Sequence, residues 1–477
     1  MGNKIKKSLR YSIFDGAFAS MMVGFGEAFF SAFAVFLRAT TIQLGLIGSL
    51  PHVLGSIFQV FTGKLLNVFK SRKGFVCIGV ALQALMYIPV ALVYFLGKFN
   101  ATWLIFFVCL YWIFGSIIGP AWSSWMGDLV DKNKRGTYFG RRNRIAGLAT
   151  FMSMLLAGFI LHAFTGERQV QYYGFAVIFG LAFLSRIISL IYLTMKYEPS
   201  YTHSNEKSLA GTSAFIKSLG RNNFGILSLY LFMMNFGIFV AAPFFVPYML
   251  KTLNMNYLTF TIIAAIPVIT RFIFMPVWGK ACDRFGTKKV LSLAGFLMPL
   301  MPLLWMFSKD PIYLAFVQVY AGFSWAGFEI ASFNLIFDST TTQNRVRSVA
   351  NMNAFIGIAI LLGGIVGSLI VKYNHAFWTS YLLVFLISFI LRYLASLIFV
   401  PRLKELRSVE QISYNKLFLN VVTTFPTSGV YDIITLGRRK RYKGRPRLRN
   451  GISSEADLTY EENNLQDYYN IQKEKPP

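Results

Sequence analysis

Long apolar stretches separated by short polar ones dominate the chain. Twelve such runs occur, at about 12–37, 44–67, 74–97, 102–127, 143–165, 172–195, 223–250, 256–279, 289–308, 311–338, 348–371 and 376–400. Each is close to or above the ~20 residues a helix needs to cross the hydrocarbon of a bilayer. The runs are unbroken, unlike the short alternating segments of a membrane barrel, so they predict helices. Gly and Pro inside them are ordinary for membrane helices. The expected fold class is an all-α integral membrane protein with twelve transmembrane helices. The first run is too long for a signal-peptide core and lacks a clear small-residue cleavage site, so it reads as span 1.

Composition agrees. Of 477 residues, 55% are hydrophobic and 14% charged, and Phe alone occurs 48 times. So few charges could not cover that much apolar surface in water. The net charge of +27 would suggest nucleic acid, but its placement argues otherwise. With the N-terminus in the cytoplasm, the loops on the far side hold only Arg38, Lys98, Arg168, Lys251, Lys309 and Lys372. Arg186, Arg271 and Arg392 lie inside spans, and every other basic residue lies on the N-terminal side. This asymmetry follows the positive-inside rule. It places both termini in the cytoplasm and the protein in the plasma (cytoplasmic) membrane. No nucleic-acid partner is expected, because no folded basic surface with readable side chains is available. The three cysteines have no metal spacing, no phosphate-binding loop occurs, and no catalytic constellation sits in a water-accessible loop. Neither a cofactor, nor a metal, nor an enzymatic activity is expected, and a monomer is.

The chain also repeats itself. Pro51 and Gly63 recur as Pro267 and Gly279, and Arg72-Lys73 as Lys288-Lys289, all offset by 216. Asp128, Arg135, Asn143 and Gly147 recur as Asp338, Arg345, Asn353 and Gly357, offset by 210. Arg186 and Arg392 each end a Phe-x-x-Arg at similar depth in spans 6 and 12. Ordered matches at near-constant offset indicate duplication of a six-helix unit, with the halves parallel about an axis along the membrane normal. The division is 1–197 for the first half, 198–221 for a polar cytoplasmic linker, 222–401 for the second half and 402–477 for a basic cytoplasmic tail.

On these residues the chain resembles the major facilitator superfamily of secondary transporters over roughly residues 10–400. The most specific match is the loop after span 8, Gly279-Lys-Ala-Cys-Asp283-Arg284-Phe-Gly286-Thr-Lys288-Lys289, which is similar to the family's G-x-x-x-D-R-x-G-x-[RK]-[RK]. The loop after span 2 is a degraded copy, with Asn67-Val68 in place of Asp-Arg and Lys70 in place of Gly. Span 4 lacks the Arg of many proton-coupled members, and span 5 lacks the Gly-Pro-rich signature of drug and proton antiporters. The resemblance implies alternating access of a small solute by rocking of two halves, and spans 1, 4, 7 and 10 lining a central cavity.

Charges inside spans are costly, about 2.5 kcal/mol or more each, and so mark function. Glu27 in span 1 and Glu329 in span 10 would then face one aqueous pocket from opposite halves, as proton carriers or ligands. Either could instead be a carboxyl satisfied by its neighbours. Arg271 in span 8 has three uses open to it: reaching the interface, pairing with Glu329, or holding an anionic group. Trp122 and Ser123 after the Gly119-Pro120 break, Asn235 on span 7, and Gln318 and Trp325 on the stripe that ends at Glu329 complete the candidate pocket. Arg186 and Arg392 read as structural, and His52 as a packed polar residue.

Asp128 and Asp338 end spans 4 and 10, where a negative charge opposes the helix dipole and calls for a cation. Arg135 and Arg345, seven residues on, are the expected partners. Asp283 and Arg284 would join the same cytoplasmic latches. In the tail, Arg438–Arg449 packs eight basic residues into twelve, a composition suited to anionic lipid. The reading is secondary transport of a small solute by proton symport. Export of amphipathic compounds, or solute sensing through the tail, are the alternatives.

Overall fold

The computed structural model describes residues 2–69, 71–131, 135–199, 212–340, 345–374, 379–407, 409–410 and 412–423. They belong to one compact unit, Met1–Ile433. The basic cluster at 438–449 and half of the linker, 200–211, lie outside them.

Twelve spans are present, and several are composite. Span 1 comprises Gly2–Phe25, a 3-10 turn Glu27–Phe29 and Phe30–Phe36. Spans 2 to 6 are built on Thr41–Gln59, Arg72–Leu85 with Tyr87–Leu92, Asn100–Leu129, Arg135–Ala163 and Arg168–Thr194. Spans 7 to 12 are built on Asn223–Ala241, Tyr257–Phe285, Thr287–Leu297 with Leu300–Leu304, Pro311–Asp338, Arg345–Tyr373 and Ser380–Phe399. Among the described residues, eleven helices are long and apolar enough to cross a membrane. Span 10 falls short of that threshold because Gln318, Ser324, Glu329, Ser332 and Asn334 dilute its apolar content.

Packing repeats with the sequence. Span 1 packs on spans 5 and 6 as span 7 packs on 11 and 12, and spans 2 and 3 pack on 4 as 8 and 9 pack on 10. The halves meet along two further pairs, spans 2 with 11 and 5 with 8, which exchange under the same duplication. Small residues allow the close approach. A side chain at Gly45 would collide with Ser368, and one at Gly364 with Ser49.

The apolar core is divided unequally between the two faces. Towards the face away from the N-terminus, one cluster runs through both halves and includes Phe29, Phe33, Phe175, Tyr248, Phe260 and Trp305. Phe29 meets Phe260 edge-on at 6.2 Å and Phe175 meets Tyr257 at 5.6 Å, both across the halves. Towards the basic, N-terminal face there are two separate clusters, one in the first half and one in the second. The halves are therefore packed together at one face and parted at the other.

The residues after span 12 depart from the expectation of a separate tail. Leu403 is buried, and the helix Tyr414–Thr423 places Leu417 and Val421 in the second half's basic-face cluster. Its buried positions are four apart, one helical stripe. The described residues between 403 and 423 thus extend the second half.

Candidate functional site

Span 1 breaks at Gly26. The Tyr87 ring of span 3 occupies the volume a side chain there would need, and only glycine permits that approach. The following 3-10 turn puts Glu27 inside the first half. There the Tyr111 hydroxyl of span 4 donates to Glu27 Oε2 at 2.9 Å. Tyr87 and Tyr111 meet edge-on at 5.3 Å, and Phe30 stacks on Tyr87. Among the described residues no cation forms an ion pair with Glu27.

A second carboxylate lies twelve residues earlier on the same span. Asp15 Oδ2 accepts from Lys196 Nζ at 2.8 Å, and Oδ1 accepts from Ser189 Oγ at 2.8 Å. Arg142 Nη2 of span 5 stands 3.8 Å away. The Lys196 side chain is wholly buried and that of Asp15 is 4% exposed. Arg186 of span 6 extends the network, donating from Nη1 to Ser189 Oγ at 3.4 Å and from Nη2 to Gln83 Oε1 at 2.6 Å. Such partners offset the cost of burying these charges.

Two adjoining cavities open on this network. One of about 400 Å³ is lined by Asp15, Gln59, Trp122, Ser123, Arg142 and Arg186 among others. One of about 310 Å³ is lined by Glu27, Gln83, Tyr111, Trp112, Arg142 and Arg186 among others. Every lining residue of both comes from spans 1 to 6. Trp122 and Ser123 thus sit where a ligand could reach them, and the Arg142 guanidinium lies 4.4 Å over the Trp122 ring.

The remaining candidates are arranged differently from the expectation. Glu329 lines neither of these two cavities. It pairs with Arg271 at 3.2 Å, and the two side chains are 47% and 37% exposed. The stripe on span 10 faces span 8: Gly322 abuts Pro267 and Thr270, and Gln318 is buried beside it in the chain. Trp325 packs edge-on against Phe328. Asn235 donates its amide to Leu231 O of its own helix at 2.8 Å. His52 is wedged between Trp112 and Phe239, at 4.2 and 5.6 Å. Arg186, expected to be structural like Arg392, instead lines both cavities. Arg392 is buried with only the Ile238 carbonyl, at 3.4 Å, as hydrogen-bond partner among the described residues.

Among the described residues the latch carboxylates have partners that the spacing did not suggest. Asp128 is held by the buried Arg72 of span 3, whose Nη1 donates to Oδ2 at 2.7 Å. Asp338 is held by Arg407, with Nε on Oδ2 at 2.8 Å and Nη2 on Oδ1 at 2.9 Å. Arg407 Nη1 also reaches Asp283 at 3.3 Å. These hydrogen bonds push the Arg407 pKa above the usual arginine value. Arg284 turns away to Glu410, at 2.8 Å. The side chains of Arg135 and Arg345 lie outside the described residues. The helices of spans 4 and 10 end before them, whereas Arg72 and Arg407 reach the two carboxylates from beside the helix ends. A glutamate after each half's last span completes the symmetry: Glu198 accepts from the Arg72 amide at 2.7 Å and Glu405 from the Lys288 amide at 2.8 Å. Both cap a helix N-terminus, where negative charge is favoured.

Sequence reasoning missed Asp15, Gln83, Tyr111 and Arg407. Asp15 carried a signal, an acid inside the first apolar run. Arg407 carried none, because only the fold brings the tail to Asp338.

The comparisons with known proteins fit this geometry. The family model described as Major Facilitator Superfamily matches residues 16–248 and again 227–437. The chain belongs to the Major Facilitator Superfamily. It is a multi-pass secondary transporter that moves a small solute by alternating access, and it is not an enzyme. In this superfamily one relative, the "Multi-drug resistance efflux pump PmrA" of Streptococcus pneumoniae, is 22% identical over 375 residues, covering 76% of this chain and 88% of PmrA. Among solved structures, a mutant form of the nucleoside transporter NupG superposes with a TM-score of 0.65 at 16% identity, covering 83% of this chain and all of NupG. A D-xylose-proton symporter superposes with the same score at 14% identity, covering 85% and 99%. The inward-open xylose transporter XylE from E. coli gives 0.60 at 15%, covering 87% and 98%.

Proposed function

We propose that this transporter couples solute movement to protons through Glu27, in the cytoplasmic membrane with both termini in the cytoplasm. The orientation rests on the asymmetry of basic residues. Under it the parted face is cytoplasmic, so the described state is inward-facing, and the two six-helix halves are the moving bodies. Anionic inner-leaflet lipid is the partner proposed for the basic tail.

One observation carries the coupling. Glu27 is a carboxyl inside the membrane region, on a cavity, touched by a phenol and by no ion-pairing cation among the described residues. Such a group can load a proton when its cavity faces one side and release it when exposure alternates. Glu329 is the weaker carrier, since Arg271 already neutralises it.

The test is uptake of a labelled solute set into proteoliposomes, with and without an imposed pH gradient. Uptake should follow the gradient. Glu27→Gln should keep solute exchange and lose the response, and Glu329→Gln should retain it. Wild-type uptake indifferent to the gradient would remove the reading.

A second reading, export of amphipathic compounds, is favoured by the similarity to a protein named as a multi-drug efflux pump and by Trp112 and Trp122 in the cavity walls. Resistance to a panel of toxic compounds on overexpression would support it.

A further inference from the structure

The charges around the two cavities do not balance. Three cations, Arg142, Arg186 and Lys196, stand against two carboxylates, Asp15 and Glu27. Glu27 forms no ion pair among the described residues, and Asp15 is already engaged by Lys196 at 2.8 Å. Arg142 is only a second, 3.8 Å neighbour of the same carboxylate, and its Nε donates to the Ser12 carbonyl. Arg186 has no carboxylate in ion-pair reach among the described residues. Its partners Gln83 and Ser189 are neutral, its Nε is buried without a partner, and the residue is 8% exposed. Both arginines line both cavities. A buried cation with no anion in direct contact is a costly arrangement unless something fills the gap. The walls around these guanidinium groups are aromatic, with Trp112, Trp122 and Tyr111, and the volumes suit a small ligand.

We propose that the first-half cavities bind a small organic anion, a carboxylate on an apolar or aromatic body, with Arg186 and Arg142 receiving the carboxylate. Arginine suits this because its planar fork matches a carboxylate. The assignment deepens the transport reading, on which it rests, and supplies a physical link to the proton. Glu27 faces Tyr111 of span 4, Tyr87 and Gln83 of span 3, Arg142 of span 5 and Arg186 of span 6, with Asp15 further along its own span and His52 behind Trp112. Protonation of Glu27 removes one negative charge from this set. The positive potential at the arginines rises, and anion binding strengthens. Reciprocity then requires that the bound anion favours the protonated carboxyl. Anion and proton travel together, and the loaded site carries little added charge.

The experiment is equilibrium binding to the purified full chain in detergent, followed by tryptophan fluorescence and thermal shift, with no gradient. The probes are benzoate, hexanoate and indole-3-acetate, with benzamide, benzylamine and phenyl phosphate as controls. At least one carboxylate should bind about tenfold or more tightly than its neutral counterpart. Arg186→Gln should lose about tenfold or more, and Arg186→Lys should recover part. Arg142→Gln provides the same reading if the Arg186 variant does not fold. Carboxylate binding should tighten in acidic buffer, and Glu27→Gln should bind tightly at either pH. The proposal falls if benzamide or benzylamine binds as well as benzoate, if no carboxylate binds, if phenyl phosphate binds in their place, or if both arginine variants bind normally. Because no gradient is applied, each of these failures leaves proton coupling to be decided by the flux assay alone.

Discussion

The two halves derive from one duplicated unit, yet they handle matching charges in different ways. In the first half Arg186 sits on open cavities with Gln83, Ser189 and, through Ser189, Asp15. In the second, the equivalent Arg392 is shut into the helix packing, with a single backbone carbonyl as its hydrogen-bond partner among the described residues. Asp128 is clamped by Arg72 from within its own six spans, whereas Asp338 is clamped by Arg407 from beyond span 12. Duplication kept the positions of the acids and arginines but not their counter-groups. One half presents its charges to open cavities. The other pairs Arg271 with Glu329 between spans 8 and 10 and gathers its remaining ion pairs at the basic face, around the segment that follows span 12.

The comparison can be broken most forcefully at Asp15. Asp15→Ala leaves the wholly buried Lys196 without its anion and should destabilise the protein by about 3–5 kcal/mol, read as a large fall in Tm in detergent. Replacing Lys196 with Met in that background should recover much of the loss. If Asp15→Ala alone is harmless, the first half does not depend on internal charge pairing. Next in size is Arg407→Ala, which frees a partly exposed pair and should cost about 1 kcal/mol. Its sharper readout is protease accessibility of residues 403–423, which should rise as the segment loosens. Smallest is Arg392→Met, expected to leave stability within about 0.5 kcal/mol or to raise it, because a poorly satisfied buried cation is exchanged for a packed apolar chain. A strong destabilisation there would show that the two arginines are more alike than their surroundings suggest.

The sequence makes the architecture legible because bilayer crossing is a local property: apolar length and the placement of Lys and Arg suffice for twelve spans, and ordered offsets reveal the duplication. The loop around Asp283 and Gly286 was equally readable, and the structure gives Gly286 a φ of 99°, open to glycine. The site was less legible because it depends on distant partners. Glu27 stood out as an intramembrane acid, but its turn follows from a Tyr87 ring far along the chain. Asp15 finds Ser189 and Lys196 at sequence separations of 174 and 181. Seven-residue spacing suggested Arg135 and Arg345 as latch partners, whose side chains lie outside the described residues, but it could not suggest Arg72 and Arg407, which pack beside the helix ends from distant parts of the chain. Span periodicity put Glu329 on a shared stripe without revealing that the stripe is turned towards span 8.

The unequal division of the apolar core sets where the work of switching must be done. Each cluster at the basic face belongs to a single half and can ride along intact. The large cluster at the other face must split between Phe29 and Phe260 and between Phe175 and Tyr257 for the opposite opening to form. Prising apart each such ring pair costs on the order of 1 kcal/mol. The resting bias of the transporter is thus written in a handful of phenyl rings, and thinning them should tilt the empty protein towards the outward orientation before any cargo arrives.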